Sequence, residues 1–430
     1  MKPLVNKLPG IKSQKILEKL NDINLGNSKP YPFVHSGKGN GVYFEDIDGN
    51  IFLDFSSQIA SNPLGYNHEN LLNVLKKYSD KHPVKYAGQD FIIKEHLDLI
   101  EELLSIVPKG MNSAFLINSG AEAVENSIKI ALRSQKKAKF GISFKSAFHG
   151  RTLGALSCTN SSNVQKKNYL SIPMKRLPFG EEAIAELERL IAQELTPEEI
   201  GFVIIEPIQG EGGYNVAPDT LMRYLRKFTK ENTIPLIFDE VQSGIGRTGK
   251  WFASEHYDIT PDIMSSAKAL QVGATISNSE YKPEFGSISS TWGGGHLLDI
   301  AIGIEIIRTI KEENLLKNIE SNGNYLFKRL VELQKEDIVK NVRGKGLMLA
   351  FDLESNKKRN DFIMEALGNG LVLLGCAQVG IRLIPPYIIS KEEIDKAIEL
   401  IEASCKKVSE KGFKHEGEIV EYLSCPNCHT

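Results

Sequence analysis

Two segments put reactive side chains directly after short apolar runs. Pro261-Asp-Ile-Met-Ser-Ser-Ala-Lys-Ala-Leu270 places Lys268 just past one run, and Pro235-Leu-Ile-Phe-Asp-Glu240 closes another on Asp239 and Glu240. A lysine amine can condense with an aldehyde to give a Schiff base. A neighbouring carboxylate can keep an aromatic ring nitrogen protonated, so that the ring accepts electrons. Lys268 and Asp239 are therefore the first candidates for chemistry, an amine and an anion delivered by two successive strands.

Asn118-Ser-Gly-Ala-Glu-Ala-Val-Glu-Asn126 joins a strand end to a helix start. Ser119 can cap the helix and Gly120 permits close backbone approach, so the free amides and the positive end of the helix form a phosphate site, or simply a capped helix. Ala147-Phe-His-Gly-Arg-Thr152 follows the next strand and opens on the same carboxyl edge. There Phe148 can cover a flat ring and Arg151 can grip a carboxylate, or the two can be a core residue and a surface ion pair. Glu206-Pro-Ile-Gln-Gly-Glu-Gly-Gly213 crowds two acids and three glycines behind a buried strand, as a site or as a turn with solvated acids. Arg382, in Gly380-Ile-Arg-Leu-Ile-Pro-Pro386, needs a partner on an apolar strand: a substrate carboxylate, a glutamate or a structural ion pair. An amine, an anion, a phosphate cradle and a ring cover are what pyridoxal 5'-phosphate requires.

Two other motifs are decoys. Gly244-Ile-Gly-Arg-Thr-Gly-Lys250 has G-x-G-x-x-G spacing, but Trp251 stands where a P-loop needs Ser or Thr, and no long amphipathic pattern follows. Cys425-Pro-Asn-Cys428-His429 has half the spacing of a zinc site, with no second ligand pair nearby, so no metal is expected.

The elements that must position these residues are legible as patterns. Residues 42–55 read as two strands around an Asp48-Gly49 turn. Apolar strands at 114–118, 140–144, 201–206 and 235–240 alternate with amphipathic stretches at 181–195 and 220–231, which predicts a mostly parallel sheet with helices on both faces. A helical pattern over 297–336 leads to strands near 348–353, 371–374 and 381–384 and helices at 360–367 and 391–406. The expected organisation is an α/β chain: an N-terminal segment with the hairpin (1–65) belonging to a small domain, a large cofactor-binding domain (66–315), an α+β small domain (316–410) and a polar tail (411–430). A length of 430 residues with 41% hydrophobic content suits a soluble globular protein, and a net charge of -2 supplies no field for nucleic acid or an anionic membrane. With no signal peptide, no apolar run of bilayer length and only five cysteines, the expected location is cytoplasmic.

Taken in order, Asn118-Ser-Gly-Ala, Phe148-His-Gly-Arg, Glu206-Pro-Ile-Gln-Gly-Glu-Gly-Gly, Phe238-Asp-Glu-Val-Gln, Lys268, Ser290-Thr-Trp-Gly-Gly and Ile381-Arg-Leu resemble the class III PLP-dependent aminotransferases of fold type I, from about residue 30 to 405. The resemblance implies that Lys268 is the Schiff-base lysine and proton-moving base, that Asp239 pairs with the pyridinium nitrogen, that Gln242 reaches the ring hydroxyl and that Phe148 stacks on the ring. It assigns the phosphate to Ser119, Gly120 and Ala121, joined by Thr291 from a neighbouring subunit, hence a homodimer or higher homo-oligomer. It gives Arg151 the distant carboxylate of an ω-amino acid and Arg382 a carboxylate of 2-oxoglutarate. Glu211 is then a switch that screens Arg382 while an ω-amine binds. The implied reaction moves the terminal amine of 4-aminobutyrate or L-lysine to 2-oxoglutarate, giving a semialdehyde and L-glutamate; amino-acid racemases of the same fold are the rival. Lys268 is followed by Ala-Leu-Gln-Val-Gly where the family commonly has a glycine-rich run, a change at the pocket floor.

Overall fold

The structure is a computed structural model that describes residues 1–26, 30–80, 90–290, 292–410 and 413. The chain divides into two compact units, Asn70–Leu316 and Met1–Glu69 with Lys317–Thr430.

The first of these is built on a seven-stranded sheet. In order across it the strands are Ser113–Ile117, Gly273–Ser277, Ile263–Ser266, Leu236–Asp239, Ile200–Ile205, Phe140–Phe144 and Met174–Leu177. Four of the six pairings are parallel, and Gly273–Ser277 runs antiparallel to both of its neighbours. Two successive reversals restore direction, so Ser113–Ile117 points the same way as the parallel strands.

Side-chain alternation assigns the two faces. Phe202, Ile204, Ile237 and Ile263 pack with Val124, Ile128 and Ala131 of the helix Gly120–Ser134. Val203, Ile205, Leu236 and Phe238 pack with Leu187 and Leu190 of Glu182–Gln193 and with Leu221, Met222 and Leu225 of Asp219–Glu231. Both faces are covered, which is why Ile200–Ile205 and Leu236–Asp239 are apolar along most of their length. Each fully buried Ile or Leu contributes roughly 1.5–3 kcal/mol through burial. The covered faces leave only the strand ends open for chemistry.

The helical pattern at 297–336 resolves into Leu297–Glu312 and Leu315–Lys335, broken at Asn314, whose φ is 53°. In the second unit the hairpin Tyr43–Asp46/Ile51–Asp54 is antiparallel, and Asp46 Oδ1 accepts the amides of Asp48 and Asn50 to fix its turn. His35–Asn40 and Leu371–Val372 complete that sheet. A second sheet, in the order Lys340–Lys345, Met348–Asp352, Gly380–Leu383 and Leu374–Cys376, accompanies the helices Asn356–Gly368 and Lys391–Val408.

Candidate active site

Five strands of one direction end at one edge of the large sheet, and each hands over a different group. Ile117 leads to Ser119, Phe144 to Phe148 and His149, Ile205 to Glu206, Asp239 to Gln242, and Ser266 to Lys268. Gly120, Ala121, Phe148, His149, Glu206, Glu211, Asp239, Gln242 and Lys268 line one cavity. Ligands bind at this edge of an open parallel sheet because the loops that leave the strands there converge.

Ser119 is the cap of the Gly120–Ser134 helix, with φ -141° and ψ 161°. Its hydroxyl accepts the Glu122 amide at 3.2 Å and donates to Glu122 Oε2 at 2.9 Å. The amides of Gly120 and Ala121 then have no acceptor within the helix and point out of its positive end. A Cβ on Gly120 would lie 2.8 Å from Val241 Cγ1, and Gly150, at φ 124°, brings the loop of Phe148 against Ala121. No side chain could be added at either glycine without opening this cradle.

Asp239 is 5% exposed and has two partners: Oδ1 accepts the Val241 amide at 3.0 Å, and Oδ2 lies 2.8 Å from His149 Nδ1. Burial works against the imidazolium of His149, but the hydrogen bond and charge of Asp239, aided by the charge of Glu206, hold its pKa above the ordinary value. Glu206 is pushed up to about 7, mainly by burial, with the charge of Asp239 adding and that of His149 opposing. Glu240 points the other way. Its carboxylate accepts the Ser243 hydroxyl at 2.5 Å and the amides of Ala253 and Ser254 at 3.0 and 2.7 Å, fixing the turn that carries Gln242.

Gln242 Oε1 and His149 Nε2 are buried without a hydrogen-bond partner among the described residues. An unmet acceptor beside a carboxylate, a half-buried ring at Phe148 and a helix start with free amides fit the hydroxyl, nitrogen, ring face and phosphate of pyridoxal phosphate. Lys268 is half-buried at the head of the short 3-10 turn Lys268–Leu270, in left-handed backbone at φ 45°. A lysine held there is strained by about 1–3 kcal/mol, a conformation that clusters at functional sites. The departure from a glycine-rich run after Lys268 has a physical account. Gln271 takes the left-handed position at φ 70° and its side-chain amide donates to the Lys268 carbonyl at 3.1 Å, a bond that glycine lacks.

Not every expected residue joins this cavity. Arg151 is exposed, does not line it, and forms no ion pair among the described residues. Arg382 is 1% exposed on the strand Gly380–Leu383 of the other unit. Glu206 is 6% exposed, so the turn after its strand is no cluster of solvated acids. The Gly244–Lys250 motif runs through turns into the short 3-10 helix Ala253–His256, without the helix a nucleotide fingerprint needs. Thr291, Cys425, Cys428 and His429 lie outside the described residues. No metal-binding cluster occurs among the described residues, and no described helix is long and apolar enough to cross a membrane. His149 is a site residue that the sequence pattern does not single out, although it stands inside the motif of Phe148 and Arg151. Its adjacency to Phe148 was the available signal.

The family model for aminotransferase class-III matches residues 26–404. Acetylornithine aminotransferase of Methanosarcina mazei is 36% identical over 86% of this chain and 91% of its own. An alanine/serine racemase of Pyrococcus horikoshii is 32% identical over 94% of this chain and 92% of its own. Among solved structures, a lysine aminotransferase from M. tuberculosis superposes with a TM-score of 0.86 at 27% identity, over 92% of this chain and 100% of that one. Matched by that family model over most of its length, and 36% identical to a relative that it covers almost whole, this chain is a member of the class III aminotransferases, which use pyridoxal phosphate.

Proposed function

We propose that the protein is an ω-aminotransferase that takes the terminal amine of an amino acid whose carboxylate lies far from it and passes it to 2-oxoglutarate. The observation that carries this reading is the convergence of Lys268, Asp239 with His149, and Gln242 on one cavity beside the free amides of Gly120 and Ala121. When bound, pyridoxal phosphate supplies a ring that accepts the electron pair left by proton removal. Lys268 would tether the cofactor at rest, and its amine would hold and move the proton taken from the substrate carbon. Asp239, oriented by His149 and the Val241 amide, would keep the ring nitrogen protonated, Gln242 would receive the ring hydroxyl, and Phe148 would cover one face. Ser119, Gly120 and Ala121 take the phosphate.

Arg151 is the residue we assign to the donor's distant carboxylate; an exposed cation with no ion-pair partner among the described residues is available to a ligand. Arg382 and Glu211 are assigned to the keto acid, Glu211 screening the arginine while an ω-amine is bound. The names of the relatives bear on the donor. Acetylornithine aminotransferases and a lysine aminotransferase add N-acetylornithine to 4-aminobutyrate and L-lysine as donors to test. Racemisation is the second reading, favoured by the Pyrococcus horikoshii relative, which covers more of the chain than the M. mazei one does.

Half-reactions decide between them. The purified cofactor-loaded protein is mixed with each donor and no keto acid, the absorbance of the aldehyde form is followed, and 2-oxoglutarate is then added. The expected result is loss of the band with at least one ω-amine and its return with the acceptor. Reaction with alanine alone, with loss of chirality and no need for an acceptor, would establish the racemase instead. Borohydride reduction should fix the cofactor's mass on the peptide containing Lys268; a label on any other lysine would remove the assignment.

A further inference from the structure

Among the described residues, Glu206 is the one acidic group of the cavity that the proposed chemistry leaves without a task. It follows the last residue of Ile200–Ile205 and is 6% exposed. Its two oxygens go to two different loops: Oε2 accepts the Phe148 amide at 3.1 Å, and Oε1 accepts the Gly210 amide at 2.8 Å. Phe148 is the ring-covering residue, and Gly210 immediately precedes Glu211. The two loops leave the adjacent parallel strands Phe140–Phe144 and Ile200–Ile205, and Glu206 ties them together across that gap.

We infer that Glu206 is a positioning residue that couples the loop of Phe148 to the loop of Glu211, so that grip on the cofactor and choice of amine are set by one buried carboxylate. The inference rests on the proposed function, in which Phe148 faces the cofactor and Glu211 governs selectivity. Its physical basis is the demand of two amide donors on one side chain. A carboxylate accepts at both oxygens, whereas the amide of a glutamine accepts at one and turns an N–H towards the other donor. Glu206→Gln therefore releases one loop and leaves a buried donor unsatisfied, while volume and shape are kept. The neighbouring charges sharpen the effect, because Asp239 and His149 lie close enough to Glu206 to shift its proton affinity.

The test compares the wild type with Glu206→Gln in two measurements. Dissociation of bound pyridoxal phosphate, followed by absorbance after dilution into a cofactor trap without substrate, should be about tenfold or more faster in the variant. The ratio of kcat/KM for an ω-amine to that for an α-amine should fall by about tenfold as well. A carboxylate that only supports the fold would lower thermal stability and leave that ratio alone. Both quantities within about twofold of the wild type would overturn the coupling. A wild type that binds no pyridoxal phosphate would overturn the proposed function, and this inference with it. If the variant does not fold, residue-resolved hydrogen exchange of the wild type serves in its place. The Phe148 and Gly210 amides should share one protection factor to within about threefold, and a difference of about a hundredfold would overturn the inference.

Discussion

Both oxygens of Asp239 are engaged inside the protein, by the Val241 amide at 3.0 Å and by His149 Nδ1 at 2.8 Å. An ionised carboxylate offers about four lone-pair sites, so there is room for one more donor, and the two existing bonds dictate where it must stand. His149→Ala removes the constraint on Oδ2 without touching the anion. A hydrogen bond between charged partners is worth about 1.5–3 kcal/mol. We therefore expect kcat to drop by about ten- to a hundredfold with KM for the donor changed by less than about threefold, in steady-state assays at saturating acceptor. An equal fall at Asp239→Asn would show that orientation and charge matter alike; an unchanged kcat in His149→Ala would remove the histidine from the site. Lys268 and Asp239 are legible in the sequence because each follows closely on an apolar run, so local pattern reveals the position, whereas Gln242 enters only through the family resemblance. The bond between His149 and Asp239 spans 90 positions, and no local spacing carries it. The same is true of Glu206, whose burial and two amide partners follow from packing between strands rather than from its own motif.

At the scale of elements, strands with a long branched-apolar run or a clear turn were legible, and strands made of small or polar residues were not. Gly273–Ser277 is Gly-Ala-Thr-Ile-Ser, buried along its length, and a Cβ on Gly273 would stand 2.3 Å from the Ser119 carbonyl. Met174–Leu177 lies at the sheet edge with two cations in four residues, and His35–Asn40 and Lys340–Lys345 are edge strands of the other unit with mostly polar sequences. Helix starts and the carboxylates that anchor turns belong to the same scale. Glu240 anchors the turn after Leu236–Asp239, and burial raises its pKa to about 7 from an ordinary 4.5. The folded state thus holds the proton more tightly than the unfolded chain, and between pH 4.5 and about 7 the native protein binds more protons. Stability must fall as pH rises through that window, by at most about 3 kcal/mol from this group. Melting of the cofactor-free protein from pH 5 to 8 should show that decline, with a shallower slope in Glu240→Gln even though the variant melts lower throughout. A slope identical to the wild type would mean that Glu240 is ionised across the range.

At the scale of the whole molecule, the donors available to a phosphate bear on how many copies make a site. Ser119 through Ala121 provide two amides and one hydroxyl that is already bonded to Glu122, a thin complement for a dianionic phosphate, which forms several charge-assisted bonds when held firmly. Among the described residues no lysine or arginine lines the cavity apart from Lys268, and the resemblance implies that Thr291 of a second copy adds a further donor. Trp292, beside it in sequence, is 48% exposed, and Leu153, just after Arg151, is 63% exposed, apolar surface of the kind a second subunit covers. Closed two-fold symmetry makes such sharing reciprocal: each copy would lend Thr291 to the other's site. We propose that arrangement, and mixing two inactive variants tests it. Lys268→Ala lacks the tether, and Thr291→Asp sets a negative charge against the phosphate. If sites are shared, a mixed dimer concentrates both defects in one site and leaves the other intact. Random exchange then yields mixed dimers as about half of the population, and activity should recover to about a quarter of the wild-type level. If each chain completes its own cradle, every site in every dimer carries one defect, and the mixture stays as inactive as its parts however long the subunits are allowed to exchange.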